Sequence, residues 1–170
     1  TISSSTGPEG LAKRRAGRDH STMTTHLIQS QDTALALLAD PATHGGQTVR
    51  RIDTHAGIVC LAGDRAFKVK RAVRFPFLDY SSLARREAAC RAEIEANRAF
   101  APRLYRGVVA VTRERDGRLA LGGDGEPIEW AVEMERFDEE RTLDLVADRG
   151  GIDPALADAL SRAIAAAHAR

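Results

Sequence analysis

Two short apolar runs, Ile58 to Leu61 and Ala66 to Val69, are separated by the four residues Ala62-Gly63-Asp64-Arg65. Apolar, β-branched runs of that length broken by a Gly-Asp pair read as two strands joined by a tight turn. A third run, Thr48 to Asp53, precedes them, and together they predict an antiparallel meander. The last strand constrains its own surroundings. Residues two apart share a face of a strand, so Phe67 and Val69 point to a core while Lys68 and Lys70 both point the other way. That second face meets either solvent or something anionic. Lysines on an edge strand discourage aggregation, which is the plainer of the two readings.

The remaining elements follow from capping and turn signals. Asp32 to Ala39 predicts a short helix capped by Asp32, with Ala34, Leu35, Leu37 and Leu38 on its apolar side and Pro41 stopping it. Ser81 or Ser82 caps a long helix through about Phe100, closed by Pro102. Strands follow at Tyr105 to Thr112, Arg118 to Leu121 and Ile128 to Glu133, the first two joined by the Asp116-Gly117 hairpin signal. An acidic loop then leads to a short helix, Thr142 to Ala147, and to a last helix capped by Asp153 with Pro154 at its first position. Leu156, Leu160 and Ile164 recur along that helix, which runs to the terminus and reads as cut short. If that stripe is uncovered, self-association is expected. Residues 1–22, rich in Ser, Gly and Arg, read as a disordered tail, with Met23 a natural start.

Bulk properties exclude several function classes. The 170 residues suit one ordinary domain, and the formal net charge of +1 gives no general pull toward nucleic acid. Cys60 and Cys90 have no paired spacing, which argues for a reducing compartment, the cytoplasm by default. The sequence has no apolar run long enough for a membrane span, and residues 1–22 have no signal-peptide centre. His20, His26, His44, His55 and His168 are scattered, with no zinc spacing, and neither a Gly-x-Ser-x-Gly elbow nor a Walker A loop occurs. Charge is unevenly distributed. Arg65, Lys68, Lys70, Arg71 and Arg74 cluster around the third strand, and Glu126, Glu129, Glu133, Glu135, Asp138, Glu139 and Glu140 crowd a later segment.

Three strands, one long helix, two or three strands and then helices is the order of a protein-kinase-like N-lobe, α+β in class, with five to six antiparallel strands. In such lobes an Ala-x-Lys on the third strand supplies a lysine that pairs with nucleotide phosphates and with a glutamate on the next helix. Ala66-Phe67-Lys68 fits. A fixed ammonium held by a buried carboxylate stabilises the charge that phosphoryl transfer spreads over several oxygens. The helix offers Glu87, Glu93 and Glu95. Glu93 shares a side with Cys90, Asn97 and Phe100; Glu87 shares a stripe with Leu83, Cys90 and Ile94 and is the rival; Glu95 falls on a polar side. In a helix so rich in Arg and Glu, exposed ion pairs are the ordinary fate of each carboxylate.

Several separate runs, in order from about Asp32 onward, resemble the aminoglycoside-phosphotransferase-like domain of a bacterial predicted-kinase family. They are Thr54-His55 through Val59, Leu61, Gly63-Asp64, Ala66, Lys68 and Lys70; "FLDYSSLARR" from Phe77; "NRAFAPRLY" from Asn97; and "IEWAVEMERF" from Ile128. In that family the domain often precedes a P-loop kinase domain. The resemblance implies that residues 23–133 form the lobe and residues 134–170 the hinge and the start of a helical carboxy-terminal lobe. It implies ATP as the nucleotide and magnesium as its metal, with Lys68 on the phosphates and Glu93 as partner. Met134 would line the rear of an adenine pocket, and backbone near Glu135 and Phe137 would meet the adenine edge. Thr54, His55 and Gly57 would lie in the turn over the phosphates, where a G-x-G-x-x-G is absent. The catalytic aspartate and the metal ligands would belong to a lobe this chain does not contain, so the chain alone is expected to be inactive on an unknown hydroxyl-bearing acceptor. Two alternatives stand beside this: a non-catalytic nucleotide- or partner-binding module, and a nucleic-acid module using the cluster from Arg65 to Arg74. The latter lacks interleaved exposed aromatics, since Phe75 and Phe77 are expected to pack their loop against the lobe.

Overall fold

The structure, a computed structural model, describes residues 30–169; the tail expected at residues 1–22 lies outside them. The predicted meander forms as β1 (Val49–Asp53), β2 (Gly57–Ala62) and β3 (Arg65–Lys70), paired antiparallel. Its second turn needs Gly63, whose φ of 56° lies in the left-handed region that L side chains avoid. A small hairpin not anticipated from sequence follows, β4 (Arg74–Phe75) and β5 (Leu78–Asp79). Helix α2 (Leu83–Arg98) begins where Ser82 accepts a hydrogen bond from the Arg85 amide. β6 (Tyr105–Arg113), β7 (Leu119–Leu121) and β8 (Glu126–Glu135) complete a six-stranded antiparallel sheet in the order β1-β2-β3-β8-β6-β7. The last strand is therefore inserted between β3 and β6, and Lys68 stands opposite Val132.

The two faces of the sheet are covered differently. Phe67, Val69, Ile58, Cys60, Val111 and Ala131 pack with Ala34, Leu35 and Leu38 of α1 (Asp32–Ala39) into the apolar core. α1 touches β1 and β7, the two outer strands, so the sheet curls around it. The other face carries Lys68 and Lys70 against α2. Burying the apolar side is worth about 25 cal/mol per Å² and sets the register, since a slip of one residue would drive both lysines into the core.

Several sequence expectations are corrected. Asp32 is the first residue of α1 rather than its cap; Gln31 holds the cap position, with its side chain engaged elsewhere. α1 does end at Ala39, ahead of Pro41 as expected, and Pro41 then opens a 3-10 turn, Pro41–His44. Phe77 does not pack against the lobe: it is 73% exposed and stacks on Phe75 with ring centroids 5.7 Å apart, because the β4–β5 hairpin turns it outward. Glu129, one of the acidic residues crowded into this part of the chain, is buried. Its carboxylate receives hydrogen bonds from Arg86 Nε (2.9 Å), Gln31 Nε2 (2.7 Å) and the Trp130 amide (2.9 Å).

That buried cluster ties four elements together. Arg86 also donates to the Tyr80 carbonyl at 3.1 Å, while Gln31 bridges the Lys70 carbonyl (2.8 Å) and the Ala72 amide (2.8 Å). After β8 come a 3-10 turn (Glu139–Arg141), α3 (Leu143–Asp148) behind Thr142, and α4 (Pro154–His168), with the Leu156 amide donating to Asp153 at 2.7 Å. α4 has no buried residue, and Ile164 is exposed. Among the described residues no helix is long and apolar enough to cross a membrane.

Removing one partner of a buried ion pair leaves an uncompensated charge. Glu129→Gln is therefore expected to destabilise the fold by about 3 kcal/mol in urea unfolding. A loss under about 1 kcal/mol would show that the pair is not holding these elements together.

Candidate functional site

The face of β3 turned toward α2 answers what the paired lysines meet. Lys68 Nζ donates to Glu93 Oε1 at 2.9 Å, and Lys70 Nζ donates to Oε2 of the same carboxylate. Glu93 stands at that height because α2 starts at Ser82 and lies over β8 and β6, three helical turns from its start. The Asn97 side chain adds a hydrogen bond to the Glu93 carbonyl at 2.7 Å. Of the other two glutamates, Glu87 pairs with Arg91 one turn along the helix, and Glu95 lies on the exposed side.

The two lysines are not equivalent. Lys68 retains 36% of its side-chain exposure and lines a cavity of about 320 Å³; Lys70 retains 9% and lies behind Glu93, its ammonium 5.6 Å from the centre of the Tyr80 ring. Ile52, Val59, Leu61, Ala66 and Met134 give that cavity apolar walls, Glu93 and Tyr105 its inner end, and Glu135, Arg136, Phe137 and Glu139 its rim. Its size lies at the lower end of the range of ligand sites, roughly 300–1,000 Å³, and a mostly apolar wall with few polar groups is their common character. The structure thus brings Lys68, Glu93, Met134, Glu135 and Phe137 together at one cavity. Thr54, His55 and Gly57 are not among its lining residues. They form the β1–β2 turn, where the Thr54 hydroxyl donates to the Gly57 carbonyl at 2.8 Å and Arg71 Nε donates to the Thr54 carbonyl at 2.7 Å.

At the rim, the Glu135 amide donates to the Leu104 carbonyl (2.8 Å) and the Arg136 amide to the Asp64 carbonyl (2.7 Å), so these donors are spent within the sheet. None of the hydrogen bonds of the described residues uses the Phe137 amide, the next donor along. Among the described residues there is no cluster of three or more His, Cys, Asp or Glu side chains that could hold a metal ion.

Charge states follow from the same contacts. Burial works to raise the Glu93 carboxyl, but the hydrogen bonds and charges of Lys68 and Lys70 outweigh it and hold the group below its ordinary value. Burial likewise works to lower Lys70, and its bond to Glu93 outweighs that and raises it. Nearby, burial pushes the Cys90 thiol up to about 11, which keeps it a neutral packing group. The sequence pattern pointed to Lys68 and Glu93, while the second lysine's share of the carboxylate and the Arg86–Glu129 pair became visible only in three dimensions. Glu129 carried one available signal: it follows Ile128 and precedes Trp130, Ala131 and Val132, an acidic residue inside an apolar run.

Three mycobacterial proteins are similar to this chain: uncharacterized protein Mb2027c of Mycobacterium bovis, and uncharacterized proteins MT2060 and Rv2004c of Mycobacterium tuberculosis. Each is 35% identical over 119 residues, which is 69% of this chain and 22% of the relative. The matched stretch thus spans less than a quarter of the length of these relatives. No family model matches the chain, and no solved structure matches it.

A carboxyl whose pKa folding depresses contributes stability above its unfolded value and loses that contribution as pH falls through the folded one. For Glu93 the contribution is complete above its ordinary 4.5 and fades below it. In urea unfolding, the advantage of the wild type over Glu93→Gln is expected to be constant above pH about 5 and to shrink toward pH about 3. An advantage that holds unchanged at the acid end would contradict the two-lysine environment.

Proposed function

We propose that this chain is the ATP-binding N-lobe of an aminoglycoside-phosphotransferase-like small-molecule kinase. The observation that carries the reading is Lys68 at 2.9 Å from Glu93, at the inner side of an apolar-walled cavity. A flat aromatic base suits walls made by Val59, Leu61, Ala66 and Met134, and the Phe137 amide, engaged in no hydrogen bond among the described residues, would meet its edge. Lys68 then stands where phosphate oxygens would follow, its direction fixed by Glu93 so that it need not reorganise when charge develops. Transfer itself also needs an aspartate to orient the acceptor hydroxyl and ligands for magnesium. The resemblance assigns both to a carboxy-terminal lobe. The residues of this chain bind and orient the nucleotide, and we expect no transfer from them alone.

The nucleic-acid reading fares worse on the geometry of its own residues. Arg65 pairs with Glu133 at 3.1 Å, Arg71 with Asp53, and Arg74 with Asp79 at 3.5 Å, so this cluster is largely neutralised where a phosphate backbone would need it bare.

The test is calorimetric titration with ATP, with and without magnesium, of the wild type and Lys68→Ala. Binding is expected to weaken about tenfold or more in the variant, the ordinary scale for losing a charge-assisted contact. Equal ATP affinity in the two proteins, or an affinity that ignores the base and collapses with salt, would overturn the assignment.

A further inference from the structure

Lys68 taken with Glu93 alone would make the cavity a poor place for an anion. One ammonium matched by one carboxylate leaves no charge over for a phosphate. At the exposed rim Glu135 faces Arg106 at 3.8 Å, and Glu139 is shared by Arg50 and Arg136, so the surplus positive charge there lies at the solvent-screened mouth and not beside Glu93. The sign of the interior is therefore set by the groups around Glu93, and a second ammonium is present among them. Lys70 occupies the other oxygen of that carboxylate, lies behind it away from the cavity, and has Tyr80 on its flank. Its strand position is fixed by the Gly57 pairing and by Gln31 donating to its carbonyl at 2.8 Å.

We infer that Lys70 is a positioning residue. It neutralises Glu93 from behind, so that Lys68, Glu93 and Lys70 together carry one net positive charge, which Lys68 presents to the polyphosphate of a nucleoside di- or triphosphate. The inference rests on the nucleotide reading above and adds a selectivity: the cavity favours the phosphorylated nucleotide over the bare nucleoside through a lysine that touches neither. A purely structural role for Lys70, as the counter-charge of a buried glutamate, would give no such selectivity.

The 170-residue chain is titrated at low salt with adenosine, ATP and inorganic tripolyphosphate, as wild type, Lys70→Gln, Lys70→Arg and the double variant Glu93→Gln/Lys70→Gln. Lys70→Gln is expected to weaken ATP and tripolyphosphate about tenfold, the scale of removing one screened elementary charge, and to leave adenosine unchanged. Lys70→Arg restores the affinity. The double variant again carries one net positive charge on Lys68, so its tripolyphosphate affinity returns to near the wild type even if the single variant folds poorly. Parallel loss of adenosine and ATP in a Lys70→Gln protein that still unfolds cooperatively, or a double variant no better than the single one, overturns the inference. ATP bound equally by wild type and Lys70→Gln overturns it while leaving the nucleotide reading intact. Lys70-dependent binding of tripolyphosphate with no affinity for adenosine overturns the nucleotide reading and keeps the charge arrangement. Binding of none of the three ligands removes both.

Discussion

Two ammonium groups on the covered face of a strand demand a carboxylate, and most of this structure is arranged around supplying one. The alternation of β3 cannot be relaxed, because Phe67 and Val69 fill the core on the opposite face and a shift of register would exchange them with Lys68 and Lys70. Helix α2 must therefore cross that face with a glutamate at the right height. Glu93 meets the requirement with both oxygens engaged. The cost of burying Glu93 and Lys70 is offset by the hydrogen bonds among the three groups, and the surplus positive charge is left beside a cavity.

A second buried carboxylate holds the frame in which the first can work. Glu129 sits on the strand that the topology inserts beside β3, and it joins Arg86 of α2 to Gln31 at the start of α1. Gln31 in turn grips the backbone at Lys70 and Ala72. The helix that carries Glu93 and the strand that carries the lysines are thus fastened to each other at two levels, one apolar-walled and open, one closed. Such a polar network is stable only when all its members are satisfied, which is the condition for a rigid site.

Much of this was legible in the residues and some was not, for reasons of range. Period-two alternation, the Gly63-Asp64 and Asp116-Gly117 turns and the Ser82 and Asp153 caps are local signals, and they placed the strands and helices to within a residue or two. The insertion of β8 between β3 and β6 is a long-range choice that no short pattern encodes. Gln31 was invisible for the same reason, since its partners lie 39 to 98 residues away. Helical side left Glu93 and Glu87 as rivals and only the resemblance preferred Glu93, while the sharing of its carboxylate needed the height of α2 over the sheet. Phe77 misled because an aromatic between Pro76 and Leu78 reads as packed, whereas a two-residue hairpin turns it to solvent.

The central claim is that the cavity beside Lys68 and Glu93 receives a nucleotide's phosphates, and lysine itself offers the most direct probe. The sequence has three lysines, Lys13, Lys68 and Lys70. With carbon-13 at the lysine ε position, and resonances assigned through Lys→Arg variants, saturating ATP should move the Lys68 signal strongly and the Lys70 signal less, through the shared carboxylate. If both signals stay where they are while ATP is present in excess, the lysine pair serves only to hold α2 against the sheet, and the cavity is not a phosphate site.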